Sequence, residues 1–120
     1  MRPSHDHGVH TFLLRYSEDV HEAVVRIARS EVRNISAQIQ VLVREALQAR
    51  ASGRKAVLVG MPTKPNHAMT LRWPLAFHET TLASADAERR TLNAQIEVLV
   101  REALVAREIL PGTTRVGDEG

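Results

Sequence analysis

The sequence contains one segment twice, and this duplication limits what the chain can fold into. Residues 34–47 read Asn-Ile-Ser-Ala-Gln-Ile-Gln-Val-Leu-Val-Arg-Glu-Ala-Leu. Residues 91–104, 57 positions later, read Thr-Leu-Asn-Ala-Gln-Ile-Glu-Val-Leu-Val-Arg-Glu-Ala-Leu. Extending this register aligns residues 11–50 with 68–107, and 19 of the 40 aligned pairs are identical. A repeat of this kind predicts two copies of one supersecondary unit.

Each copy of the segment has the apolar spacing of an amphipathic helix. The apolar positions are Ile35, Ile39, Leu42, Val43, Ala46 and Leu47 in the first copy and Leu92, Ile96, Leu99, Val100, Ala103 and Leu104 in the second. Asn34 and Thr91 precede these stripes and are predicted N-caps. Val41 and Val98 lie opposite the stripe, which indicates an intertwined core or a contact between chains. The polar pairs Arg44-Glu45 and Arg101-Glu102 are predicted to form a solvated face.

A short strand is predicted at the start of each copy. Thr11-Phe-Leu-Leu-Arg-Tyr16 aligns with Ala68-Met-Thr-Leu-Arg-Trp73, and both alternate an apolar face with a face that carries an arginine. A weaker helical segment follows each strand, so the unit is strand, helix, helix. In the second copy this helix has the poorer stripe Phe77, Thr81, Ser84 and Ala85, which predicts lower stability for the second half.

The turn between the two helices contains no glycine in either copy. Residues 31–33 and 88–90 fill it instead. A left-handed conformation would be costly at Val32, so we predict another geometry for that turn.

The chain length allows one domain or two very small ones. Each repeat has about 40 residues, near the size at which a chain struggles to bury a core, so a joint core is expected. The absence of cysteine excludes disulfides and thiolate metal sites. No run of 18 apolar residues and no signal peptide is recognisable, which predicts a cytoplasmic protein without a membrane partner. The net charge of +2 neither demands nor excludes nucleic acid.

Three segments lie outside the repeats. Residues 1–10 are predicted to be a flexible arm, where His5, His7 and His10 are either metal ligands or, as we favour, plain exposed side chains. Residues 51–67 are predicted to be a linker. Within it, Val57-Leu58-Val59 indicates either a loop patch packed on a helix or an extra strand or partner-binding segment. Residues 108–120 are predicted to be a disordered tail.

Two six-residue strands need packing beneath them, and they can pair antiparallel over four helices. Pairing between chains in a swapped dimer is the alternative. The strand faces away from the helices would present Thr11, Leu13, Arg15, Ala68, Thr70 and Arg72. A two-stranded ribbon fits the major groove of B-DNA, where arginine suits guanine and threonine can contact a base. Helix N-termini bind phosphate.

This joint pattern resembles the ribbon-helix-helix family of DNA-binding proteins, which includes the Arc and MetJ repressors. Leu71-Arg-Trp-Pro74 is similar to the strand end in that family, and Thr91-Leu-Asn-Ala-Gln-Ile96 resembles the start of its second helix. The resemblance covers roughly two thirds of the chain. It implies a mostly α fold with a short β-ribbon, in which the tandem units 11–50 and 68–107 form an intramolecular pseudo-dimer.

The resemblance also implies the DNA-contacting positions. The base-reading residues become Thr11, Leu13, Arg15, Ala68, Thr70 and Arg72, and the phosphate-binding helix starts become Ile35, Ser36, Ala37, Leu92, Asn93 and Ala94. Leu13 and Ala68 stand at positions that are usually polar in the family, so direct readout should be sparser or depend on methyl contacts. Arg15 and Arg72 could instead be solvated edge residues. Tyr16 and Trp73 could stack on single-stranded nucleic acid, but their parity with Leu14 and Leu71 favours the core.

We therefore expect sequence-specific binding of double-stranded DNA, by a transcriptional repressor or autoregulator that self-associates on adjacent half-sites. A plasmid transfer or partition accessory protein, or an antitoxin with a toxin partner, is the alternative on DNA. A helical protein-interaction module without DNA binding is the alternative from another class. We expect no enzyme and no cofactor, since neither a nucleophile–base set nor a glycine-rich phosphate loop is present.

Overall fold

The alternating segments at residues 11–16 and 68–73 form the two strands of one ribbon. The computed structural model describes residues 8–58, 67–110 and 112–116, with 55–58 and 112–116 as backbone only. Within these ranges the elements are β1 (Val9–Tyr16), α1 (Glu18–Ser30), α2 (Ile35–Ala51), β2 (Arg54–Leu58), β3 (His67–Pro74), α3 (Leu75–Ala87), α4 (Leu92–Ala106) and β4 (Gly112–Val116). The structure is thus mostly helical with short antiparallel sheets.

Strands β1 and β3 pair antiparallel within the chain, as predicted from their matched alternation. Leu13 stands opposite Thr70 at the centre of the ribbon, and Val9 and Tyr16 stand opposite Pro74 and His67 at its ends. His10 stands opposite Trp73 and Tyr16 stands opposite His67, and shifting each residue of one pair by the repeat length of 57 gives the other pair. The central pair maps onto itself. The two strands therefore occupy equivalent positions in the ribbon.

The core is formed by the ribbon, the second helix of each repeat and α1. The predicted stripes of α2 and α4 are buried from Ile39 to Ala46 and from Ile96 to Leu104. They share one apolar cluster with the inward side chains of both strands, so both repeats contribute to a single core, as expected for units of this size. Val41 and Val98 are half-buried.

The predicted caps of the second helices are confirmed. Asn34 Oδ1 accepts a hydrogen bond from the Ala37 N–H at 2.7 Å, and Thr91 Oγ1 accepts one from the Ala94 N–H at 3.1 Å. Ser17 occupies the N-cap position of α1, but its hydroxyl donates instead to Glu97 on α4, at 2.5 Å.

The prediction that Val32 avoids the left-handed region is wrong. Its φ is 55° and that of its equivalent, Arg89, is 56°. The Arg33 N–H donates to the Ala28 carbonyl at 2.8 Å, and the Val32 N–H donates to the Arg29 carbonyl at 3.3 Å. This is a Schellman cap, which satisfies the last carbonyls of α1. The side chain of Val32 is 90% exposed, so the left-handed backbone brings it into no crowded site.

The linker and tail differ from the sequence-based expectation. Gly53, with φ at 82°, reverses the chain after α2. The strand β2 then pairs antiparallel with β4, which lies in the segment expected to be disordered. The alternative of an extra strand at Val57-Leu58-Val59 therefore holds for its first two residues, whereas Val59 lies outside the described residues. The pairing of these two strands cannot be predicted from local periodicity, because each strand depends on a partner more than 50 residues away.

Candidate nucleic-acid interface

The face of the ribbon directed away from the helices presents six side chains, called the ribbon face below, and the exposed Val9–Pro74 pair lies beyond them at one end. The six are the predicted base-reading residues Thr11, Leu13, Arg15, Ala68, Thr70 and Arg72, and all six are exposed. Thr11 pairs across the strands with Arg72, Leu13 with Thr70, and Arg15 with Ala68. The two arginines therefore lie at diagonally opposite positions, one toward each end of the ribbon.

The opposite face of the ribbon is rigidly packed. Tyr16 and Trp73 are 1% and 2% exposed, in the core cluster with Leu14 and Leu71. They are core residues, and their burial leaves no ring face for stacking on a single strand. Because side chains alternate along a strand, burial of this set presents the six residues of the ribbon face to solvent.

The start of each second helix is attached to the ribbon strand of the other repeat. Ser36 Oγ lies 3.3 Å from both the N–H and the carbonyl oxygen of Arg72. At the equivalent place, Asn93 Oδ1 accepts a hydrogen bond from the Arg15 N–H at 3.3 Å. Ser36 and Asn93 are 57 positions apart, as are Arg15 and Arg72. Both arginine backbones are thus held beside a helix N-terminus.

The helix starts keep four of the six predicted phosphate-binding positions available. The N–H groups of Ala37 and Ala94 are occupied by the caps, so these two predicted residues have no free donor. The N–H groups of Ile35, Ser36, Leu92 and Asn93 have no hydrogen-bond acceptor among the described residues. Neither helix has an acidic residue in its first turn, so its positive dipole end is not neutralised.

A network of ion pairs joins the two repeats at the end of the helices away from the ribbon. Arg50 forms a two-pronged pair with Glu102, at 2.9 and 2.6 Å, and Arg107 forms the equivalent pair with Glu45, at 3.0 and 2.5 Å. The prediction of a solvated face is wrong for Glu102, which is 4% exposed, because α2 and α4 pack side by side. In the sequence, the only indication of these ion pairs was that Glu45 and Arg50 both recur 57 positions later, as Glu102 and Arg107.

A second arginine pair shows where the two repeats have diverged. Arg101 donates to both carboxylate oxygens of Asp19 at 3.0 Å and also contacts Glu97. Its equivalent, Arg44, lies 5.1 Å from the centre of the Phe77 ring. The difference follows from the sequence, since Ala76 and Gln40 stand at the positions equivalent to Asp19 and Glu97. Arg101 therefore forms ion pairs on one side of the molecule, and Arg44 forms a cation–π contact on the other.

Two histidine pairs lie at the ends of the ribbon, and sequence reasoning missed them. His10 stacks on His78 with ring centres 3.9 Å apart, and His67 stacks on His21 at the same distance. Each pair joins a strand of one repeat to the first helix of the other. The sequence did contain an indication of these pairs, because His10 and His21 both recur 57 positions later, as His67 and His78.

The surroundings of the helix histidines lower their proton affinity. Burial, followed by the neighbouring His67, lowers the pKa of His21, against the opposing effect of Glu18 and Glu22. Burial, followed by the neighbouring His10, lowers the pKa of His78, against the opposing effect of Glu79. Among the described residues no group of three or more histidines or carboxylates is arranged to hold a metal ion, and His5 and His7 lie outside those residues.

Comparison of the chain with family models, with curated proteins and with solved structures gives no match. In the part of the chain that the structure describes, no helix combines the length and the apolar character needed to cross a lipid bilayer.

Proposed function

We propose that the chain is a double-stranded DNA-binding protein of the ribbon-helix-helix type, with its two repeats forming an intramolecular pseudo-dimer. The pairing of β1 with β3 and the shared core of α2 and α4 support this proposal. A two-stranded ribbon is one of the few elements that enters the major groove. The arginines of the ribbon face are suited to bidentate bonds with guanine, and the threonines to a base or a thymine methyl group.

One observation carries the proposal: the exposed ribbon face is flanked on both sides by two helix N–H groups that have no acceptor among the described residues. Ser36 and Asn93 attach these helix starts to the backbone of Arg72 and Arg15. A duplex that receives the ribbon in its groove would bring a phosphate of each strand to a helix start. Base readout and backbone positioning would then come from one surface.

Within this class we propose a transcriptional repressor or autoregulator that acts on the nucleoid. A protein that contacts one duplex through its ribbon and both helix starts would cover that site and exclude other proteins from it. Plasmid transfer proteins and antitoxins would use the same contacts. A genome-wide map of bound sites distinguishes these roles, since a repressor is found at promoters and an antitoxin at its own operon beside a toxin gene.

Replacing either ribbon arginine tests the proposal. We expect Arg15→Ala and Arg72→Ala each to weaken binding to a selected operator by about 1–3 kcal/mol, through loss of a base contact. Fluorescence anisotropy with a duplex selected from a random library measures this. Arg26→Ala is the matched control, because Arg26 is exposed beside Ile109, past the end of α4 that is away from the ribbon.

Comparing the losses of affinity on operator and on non-specific DNA shows whether the two arginines read bases. Affinity for a scrambled duplex should fall less than affinity for the operator. Equal losses on both sequences would mean that the arginines contact phosphates and do not read bases. Failure of the wild-type protein to bind any duplex, at low and at physiological salt, would overturn the proposed function in favour of an interaction module.

A further inference from the structure

The two histidine pairs are equivalent in position but not in chemistry. His78 is 8% exposed, with its ring stacked on His10 and tilted against the rings of Phe12 and Trp73, whose centres lie 5.2 and 6.3 Å away. The indole N–H of Trp73 donates to His78 Nδ1 at 3.1 Å. At the other end of the ribbon, Tyr16 takes the place of Trp73, and its hydroxyl oxygen lies 2.6 Å from His21 Nδ1.

The bond from Trp73 fixes the protonation state of His78. An indole nitrogen can only donate, so Nδ1 of His78 must carry a lone pair and the ring must be neutral with its proton on Nε2. A second proton can enter only at Nδ1. It would face the indole N–H, and the hydrogen bond would be lost. Protonation of His78 is therefore incompatible with the observed contact to Trp73.

The bond at the other end tolerates protonation. A hydroxyl both donates and accepts, and the proton of Tyr16 can turn to Met69 Sδ, 3.6 Å away, when His21 donates. Burial raises the pKa of Tyr16 to about 12, so the hydroxyl keeps its proton at neutral pH. Glu18 also lies 2.6 Å from His67 and can balance a positive charge on that pair.

The His78 end has weaker charge compensation. Leu75 stands at the position equivalent to Glu18, and the charged or titratable groups that face His78 are Glu79 on its own helix and His10 on β1. A proton on His78 would thus be placed beside a second histidine, among aromatic rings. Loss of the bond between His78 and the indole would release Trp73. Trp73 stands opposite His10 in the ribbon and precedes Pro74, the last residue of β3.

We propose that His78 is a proton-sensitive positioning residue of the ribbon. As a neutral ring it holds Trp73 and the adjoining Thr11–Arg72 end of the ribbon face, and its protonation frees that end and weakens DNA binding. The part of this inference that concerns DNA rests on the proposed function, whereas the release of Trp73 does not.

The direction of the pH effect follows from linkage. Because the folded chain holds the pKa of His78 below its ordinary value, the unfolded chain binds more protons as the pH falls below about 6.5. The stability contributed by neutral His78 is therefore complete above that value and is lost as the pH falls toward the folded-state pKa. The change lies on the acidic side of neutrality.

Trp73 is the only tryptophan of the chain, so its signals report on this site alone. The indole N–H resonance and the fluorescence of the DNA-free protein should change between about pH 8 and pH 5, with a midpoint below the ordinary histidine value. His78→Asn should abolish this change, because an amide oxygen can accept the indole N–H but does not titrate. His21→Asn, at the equivalent position, should leave it intact.

Binding to the selected operator at constant salt supplies the second measurement. We expect wild-type affinity to fall by about tenfold over the same pH range, and the affinity of His78→Asn by about twofold or less. Absence of operator binding at every pH would refute the proposed function and leave the indole result standing.

A Trp73 signal that does not follow the titration of His78, or one that changes equally in His78→Asn, would overturn the inference. If His78→Asn does not fold, Trp73→Phe is the alternative test, because it keeps an aromatic ring and removes the indole N–H donor. Its His78 ring resonances should titrate at a higher pH than in the wild type. An unchanged midpoint would show that the indole bond does not control the proton.

Discussion

At the scale of single residues, Val32 adopts a backbone conformation that its side chain disfavours. A branched Cβ in the left-handed region costs about 1–2 kcal/mol, and glycine avoids most of this at the expense of some chain entropy. Val32 is 90% exposed, so its removal sacrifices no packing. We expect Val32→Gly to raise the free energy of unfolding by about 1 kcal/mol in urea denaturation. Arg89→Gly should gain less, because arginine is unbranched at Cβ, and a loss of stability in Val32→Gly would contradict the prediction.

The arginines of the inter-repeat network should contribute unequally, although their positions are equivalent. Glu102 is 4% exposed and Glu45 is 40% exposed at the side chain. Arg50→Ala would leave a buried carboxylate without its partner, so we expect a loss of about 3 kcal/mol in the free energy of unfolding. Arg107→Ala should cost clearly less, since water can solvate Glu45. Equal losses in chemical denaturation would show that burial of the carboxylate does not set the difference.

At the scale of elements, the two first helices differ in what they bury. The buried positions of α1 are all alanine or valine, whereas those of α3 are His78, Thr81 and Ala85. Thr81 is fully buried, and its hydroxyl donates to the Phe77 carbonyl at 2.9 Å. Its equivalent in α1 is the fully buried Val24. The second half therefore places polar atoms where the first half places methyl groups, as the poorer stripe in the sequence predicted.

Exchanging these two residues tests the cost of the polar face. Thr81→Val should raise the free energy of unfolding by about 1 kcal/mol, because it buries a methyl group in place of a hydroxyl whose bond duplicates one already made by the helix. Val24→Thr should lower it by at least as much. Denaturation measures both, and hydrogen exchange of α3 amides should slow in Thr81→Val. A destabilised Thr81→Val would show that the hydroxyl holds α3 in place.

At the scale of the whole molecule, one chain makes one ribbon with two unlike halves. Thr11, Leu13 and Arg15 lie on one strand, and Ala68, Thr70 and Arg72 lie on the other. If the ribbon reads DNA, each half-site should be asymmetric, and two chains should bind cooperatively with ribbons about one helical turn apart or less. Affinity should also fall steeply with salt, through phosphates at both helix starts. Footprinting of a selected operator measures the spacing, and complete protection of a perfectly palindromic site by one chain would contradict both expectations.

Much of this architecture could be predicted from the sequence, because it depends on interactions within a few residues. Periods of two and of three to four residues located the strands and the second helices, and Asn34 and Thr91 located their starts. The alternation of side chains also determined which six residues form the ribbon face, since burial of Leu14 and Leu71 forces their neighbours outward.

Only the tertiary structure decided which distant groups meet. The contacts of Arg50 with Glu102 and of His10 with His78 join residues 52 and 68 positions apart, and the pairing of β2 with β4 joins the linker to the tail. Local patterns do not encode such partners. The left-handed Val32 has the same cause, because the packing of both helices on one core and the satisfied carbonyls of the cap outweigh its local preference. A residue's own propensity is worth about 1 kcal/mol, and the burial of a shared core exceeds it several-fold.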